Sequence, residues 1–133
     1  RTSIFDYIGV PAHQQWMNDG EFDGAELSAE QRQLRRFYVE LMALNQLPAI
    51  AQGNLLEVSN SQPQHVVSFI RKAGHQRVLV VANFAKQKQQ VSVDVKESQA
   101  QALLGAPPQF TDGTLSLTLP YQGVSVIQLG TNR

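Results

Sequence analysis

The residues best spaced for chemistry lie at 19–24, where the chain reads DGEFDG. Asp19, Glu21, Asp23 and Gly24 occupy positions 1, 3, 5 and 6 of a calcium-loop pattern, and Glu30 falls at position 12. Carboxylates at alternate positions wrap a hard cation, and the glycine permits the sharp turn. The match has faults. Position 3 normally carries a shorter side chain than Glu21, and Glu26 stands where an apolar residue belongs. The plainer reading is an acidic, solvated turn leading into a helix, with no metal held there.

Aromatic residues give the second chemistry. Trp16 is the single tryptophan, and with Phe5, Tyr7 and Phe22 it makes the first 27 residues aromatic. Such rings stack on sugars, and nearby acids bond hydroxyls. The competing and favoured reading is that they pack the irregular arm onto a core. Tyr121, in LPYQG, reads as a structural plug.

The remaining candidates are weak. His13, His65 and His75 share no helical spacing, so a three-ligand zinc site has no support, and His75 reads as a solvated loop residue. No glycine-rich phosphate loop and no G-x-S-x-G elbow are present. Glycosidic cleavage needs two carboxyl groups held across a cleft. Glu57 and Asp94 instead sit among alternating solvated strand positions. No cofactor is expected.

The elements that position these residues fall into two textures. Residues 1–27 show no sustained period, apart from a short helical turn expected at 11–17. Residues 28–46 read as an amphipathic helix. Ser28 and Gln31 form a capping box, and Leu34, Phe37, Tyr38, Leu41 and Leu44 make one stripe. Pro48 ends the element by pushing its predecessor out of the α region. Beyond it come short β-type runs at 54–58, 65–71, 77–84, 90–95, 114–119 and 123–129, with an ambiguous run near 101–104. Val91, Val93 and Val95 alternate with polar residues, as do Leu115, Leu117 and Leu119, which predicts half-buried strands. The run RVLVVANF does not alternate and predicts a strand buried on both faces. Turns are expected at 72–76 and 111–113. The reading is a mainly β chain with an antiparallel β-sandwich. Residues 1–46 form an irregular arm plus helix, and residues 47–133 form the sandwich.

Composition narrows the partners. The 133 residues are 42% hydrophobic and 17% charged, with formal net charge +0. No basic excess exists to neutralise phosphates, so nucleic acid is not an expected partner. No apolar run reaches the roughly 18 residues of a membrane span. The absence of cysteine excludes disulfides and thiolate chemistry. The opening RTSIFDYIGVP reads as the interior of a longer chain.

Several segments together carry a resemblance. SIFDYIGVPAHQQWMN is followed by LSAEQRQLRRFYVELMAL, then the joint Pro48-Ala49-Ile50-Ala51-Gln52-Gly53. A hairpin follows, with Val67-Ser68-Phe69-Ile70-Arg71 on one strand and Arg77 to Phe84 on the other, and the chain closes on LPYQGVSVIQL. In this order they resemble the C-terminal end of the α-amylase superfamily of glycoside hydrolases. The resemblance implies the last helix of a (β/α)₈ catalytic barrel and then a Greek-key-type antiparallel sandwich called domain C. It covers nearly the whole chain. It also implies that the catalytic carboxylates lie on barrel strands preceding this segment, so no catalytic residue is carried onto it. Region 1–27 would follow barrel strand eight, on the face where barrel active sites sit. Phe5, Asp6, Tyr7 and Trp16 are therefore the residues expected near substrate in the parent enzyme. The resemblance leans toward a secreted or periplasmic setting.

Two roles follow from the resemblance. The first is a non-catalytic domain that braces the barrel of its own parent, an enzyme acting on α-glucans, and shields its apolar surface. The second is a carbohydrate-binding module for starch. That role calls for two or more solvent-facing Trp or Tyr on the sheet, and the sandwich carries only Tyr121. A free-standing calcium-binding or adhesion sandwich is a third. The helix stripe needs cover in every case. In the isolated chain it is expected to fold onto the sandwich or to pair two copies through Leu34, Phe37, Tyr38, Leu41 and Leu44.

Overall fold

The structure, a computed structural model, describes residues 9–111 and 113–130. The chain divides into two compact units, Arg1–Met42 and Ala43–Arg133.

The first unit holds two helices. Helix α1 runs Pro11–Met17, with proline at its first turn, where a missing N–H costs nothing. Asn18 closes it in the left-handed region at φ 43°. Helix α2 runs Ala29–Ala43. Its capping box forms as expected: the Gln31 amide donates to Ser28 Oγ at 3.2 Å, and the Ser28 amide donates to Gln31 Oε1 at 2.8 Å. No residue of α2 is buried. Leu34, Phe37, Tyr38 and Leu41 are all exposed, whereas Leu44, the last residue of the expected stripe, falls beyond α2 and is half-buried against the cluster of Ala49, Val78, Leu104 and Val126.

In the second unit, a 3₁₀ turn over Leu44–Gln46 leads to Leu47, which is extended ahead of Pro48. Pro48–Gln52 is a short helix, α3, with proline at its N-terminus. Strands follow at Asn54–Glu57 (β1), Val66–Ala73 (β2), Gln76–Asn83 (β3) and Gln89–Asp94 (β4). Next come Gln99–Leu104 (β5), Gln109–Thr111 (β6), Thr114–Leu119 (β7) and Val124–Gly130 (β8). The ambiguous run near 101–104 is thus a strand. The three-residue β6 escaped the sequence reading, because it is too short to show a period.

The strands form two antiparallel sheets, one of order β1-β2-β3-β8-β5 and one of order β4-β7-β6. The chain changes sheet between β3 and β4, β4 and β5, β5 and β6, and β7 and β8. The sandwich core lies between the sheets. Val66, Ile70, Leu79, Val81, Ile127 and Leu129 of the larger sheet meet Val91, Val93, Leu115, Leu117 and Leu119 of the smaller. Alternation is the cause: Val91, Val93 and the three leucines of β7 turn inward, and their polar neighbours turn outward.

The larger sheet is apolar on its outer face as well. Val78 and Val126 are buried there with Ala49 of α3 and Leu104. This explains the unbroken apolar run of β3: Leu79 and Val81 serve the core, while Val78 and Val80 serve the outer layer. The hairpin between β2 and β3 turns through Gly74 and His75, with Ala73 opposite Gln76. Gly74 adopts φ 56°, which glycine tolerates, and His75 is exposed as expected.

Candidate functional site

The arm residues of the first unit build one small apolar cleft. Helix α1 presents His13, Trp16 and Met17 on successive turns, and Phe22 closes the cleft, which measures about 390 Å³. Trp16 and Phe22 meet edge to face, with centroids 5.5 Å apart and planes at 64°. The loop between them is held by Asp23, whose Oδ1 accepts from Asn18 Nδ2 at 2.9 Å and from the Ala25 amide at 2.8 Å. Gly24 adopts φ 73°, and a β-carbon there would crowd Leu27 Cδ1 at 3.0 Å and Trp16 Cδ1 at 3.4 Å. Trp16 thus lines a small aromatic cleft beside this loop. Phe5, Asp6 and Tyr7 lie outside the described residues.

The acidic positions take other roles. Asp19, Glu21 and Glu30 are exposed, and the Asp23 carboxylate is engaged in the loop bonds just given. Among the described residues, no group of three or more His, Asp or Glu gathers to hold a metal ion. His13 lines the cleft, while His65 and His75 are exposed in the other unit.

In the sandwich, the residues of the joint and hairpin motifs act on one another. The Gln76 side-chain oxygen accepts from the Ala49 amide at 2.9 Å. Arg71 donates from Nε to Ala49 O at 3.3 Å and from a terminal nitrogen to Ile50 O at 3.0 Å. Gln76 and Arg71 from one hairpin therefore satisfy the Ala49 amide and the Ile50 carbonyl at the ends of α3, and Arg71 adds a second donor to Ala49 O, which also accepts from the Gly53 amide at 3.1 Å. Ala49 is fully buried against the sheet. Gly53 passes so close to the Ala49 and Lys72 carbonyls that no β-carbon fits.

A second lock lies at the far end of β3. Asn83 is 3% exposed. Its Nδ2 donates to Pro120 O at 2.8 Å, Gln87 O at 2.9 Å and Leu119 O at 3.3 Å. Its Oδ1 accepts from the Ala85 amide at 2.9 Å. One buried amide thereby fixes the β3–β4 and β7–β8 connections. Phe84 and Tyr121, which flank these bonds, are 74% and 57% exposed. Tyr121 is therefore no plug, and Phe84 departs from the burial expected of its run. The reason is local: strand β3 ends at Asn83, and nothing in the sandwich covers the residue beyond.

Part of the outer face of the larger sheet lies open. Register places Val67 beside Ala82, and Ala82 beside Val124. Leu55 and Val67 are 54% and 50% exposed, and Phe69, Val80, Ala82 and Val124 are half-buried. The sequence reading took β2 as an ordinary strand and missed this patch. The signal was the adjacent pairs Val66-Val67 and Phe69-Ile70, which put apolar groups on both faces.

Comparison with known proteins adds the following. The family model described as "Maltogenic Amylase, C-terminal domain" matches residues 56–126, just over half of the chain. Neopullulanase 2 of Thermoactinomyces vulgaris is 33% identical over 105 residues, which is 74% of this chain and 18% of that protein. Among solved structures, an AmyP structure in complex with maltose superposes with TM-score 0.67 at 18% identity. It covers 79% of this chain and 22% of that one. An Anoxybacillus α-amylase gives TM-score 0.63 at 19% identity, over 76% and 23% of the two chains. These structures share the fold, and the chain spans about a fifth of the length of each relative.

Proposed function

We infer the role of this chain from one premise: it belongs to the maltogenic amylase C-terminal domain family. It serves as the non-catalytic C-terminal domain of an α-amylase-family glycoside hydrolase that acts on α-glucans. Its work is to brace the catalytic barrel of the parent enzyme and to cover apolar surface there.

The observation that carries this reading is the uncovered outer face of the larger sheet. Leu55, Val67 and Phe84 lie open on a face whose other half is already buried under α3. Exposed apolar patches of this kind mark docking surfaces. The open stripe of α2 supports the same reading, because a helix with one apolar face gains its stability from what covers it. Trp16 and its cleft, together with Phe5, Asp6 and Tyr7, are proposed to lie near substrate in the parent.

The test uses the intact parent enzyme and the 133-residue chain side by side. Val67→Lys and Phe84→Asp are expected to lower the melting temperature of the enzyme by several degrees, while kcat/KM on a soluble α-glucan measured well below that temperature stays unchanged. In the isolated chain both variants are expected to melt as the parent sequence does. Equal losses in the two, or no loss in the enzyme, would refute the bracing role.

A further inference from the structure

The cleft on α1 gathers a set of donors that bracing a barrel does not call on. Its lining is His13, Trp16, Met17 and Phe22, around about 390 Å³. We propose that this cleft is a binding site for a soft monovalent metal cation of the copper(I) and silver(I) class, held by the His13 imidazole and the Met17 thioether beside the Trp16 ring. The site does not rest on the α-glucan role.

Spacing brings the donors together. Residues 13, 16 and 17 fall at i, i+3 and i+4 along α1, so they share one face. The β-carbons of such neighbours lie about 5–6 Å apart, within the joint reach of an imidazole and a thioether closing on one ion. A metal takes one ring nitrogen of a histidine and leaves the other for a hydrogen bond within the protein. His13 is exposed and Met17 is half-buried, so the cleft is open to an ion from solvent.

The loop after α1 is strapped back to the residues that line the cleft. The Phe22 amide donates to Met17 O at 2.9 Å, and the Gly24 amide donates to Trp16 O at 3.0 Å. Phe22 itself takes φ 55°, in the left-handed region that bulky residues rarely adopt. Backbone held there marks a place where the surroundings impose a geometry. Here that geometry sets the Phe22 ring edge to face with Trp16 and closes the cleft.

The donor set selects the ion. No Asp or Glu lines the cleft, so calcium and magnesium lack their oxygen ligands. A single imidazole falls short of the protein ligands that zinc requires. The chain has no cysteine, which leaves the methionine sulfur as its soft donor, and thioether with imidazole suits copper(I). Both donors are neutral, so the bound ion keeps its positive charge. An indole face attracts such a charge more strongly than other aromatic rings do, and apolar surroundings strengthen the attraction.

The experiment titrates the 133-residue chain with silver nitrate in chloride-free buffer. Trp16 is the only tryptophan, so its fluorescence reads this cleft alone. Saturable quenching at one ion per chain is expected. Of the two methionines, Met42 is exposed on α2 and serves as an internal control. In methyl NMR the Met17 signal should move in step with the quenching, and the Met42 signal should stay in place. Met17→Leu keeps the volume and removes the sulfur, and His13→Gln removes the imidazole. Each should weaken binding by about tenfold or more, the least that loss of even an outer-shell partner costs. Trp16 emission without silver, matched to that of the unsubstituted chain, reports an intact cleft in each variant. Copper(I), added under anaerobic conditions, should displace silver at the same signals. Equal movement of Met17 and Met42, quenching without saturation, or unweakened binding in both variants overturns the site. A response to zinc or calcium as large as that to silver overturns the soft-cation assignment. The bracing test uses no metal, so the two proposals fail separately.

Discussion

Asn83 shows how much one side chain decides. Its amide holds four backbone groups from two connections, and it is buried where water cannot replace it. Replacing it by leucine keeps the volume and strands those groups. Each unsatisfied buried group costs about 1–3 kcal/mol, so Asn83→Leu should lower stability by at least that much. The check is the denaturant midpoint at unchanged slope. Arg77 and Glu97 form an ion pair in which Glu97 is 6% exposed and Arg77 is 27% exposed. Removing one partner of a buried pair costs about 3–5 kcal/mol, and the partial exposure of Arg77 discounts this toward the lower bound. Arg77→Met should therefore cost about 3 kcal/mol by the same measurement. Neither role was legible beforehand. A period-two pattern tells which face a residue takes, but not which carbonyl or carboxylate waits there. Asn83 read only as part of an apolar run.

At the scale of elements, local signals were more telling. The Ser28–Gln31 box could be read because both partners lie within one turn, and the structure forms both bonds. Ser28→Ala should cost about 1 kcal/mol, seen as faster amide exchange across the first turn of α2. The alternating strands β4 and β7 could be read for the same reason, since burial on one face leaves its mark on every second residue. Within β7, Leu115→Ala should cost about 2–5 kcal/mol, because Leu115 is fully buried between the sheets. Connections were harder. Gly105 adopts φ 81°, with the Val124 carbonyl where a β-carbon would stand. Gly105→Ala should destabilise the fold by at least about 2 kcal/mol, measured by thermal unfolding. The joint at 48–53 was recognised by its residue order, but its helical form depends on Arg71 and Gln76. Those partners lie more than twenty residues away, beyond the reach of a local pattern.

For the whole molecule, each unit leaves apolar surface uncovered: the stripe of α2 in the first, the outer face of the larger sheet in the second. A chain with such surfaces should associate as its concentration rises. Burying each large side chain is worth about 1.5–3 kcal/mol, so Phe37→Lys with Leu41→Lys should weaken association roughly tenfold or more, read by sedimentation velocity. The sequence by itself determined the mainly β class, the inward residues of the alternating strands, the helix and its cap, and the family company of the motifs. All of these depend on neighbours within a few residues, or on the order of motifs. The tertiary structure alone decided what meets the outer face of β2 and β3: part of it lies under α3 and part of it is open. It also decided that Phe84 and Tyr121 stand exposed. Each of these depends on which distant segment arrives at a given face, and only the folded chain brings those segments together.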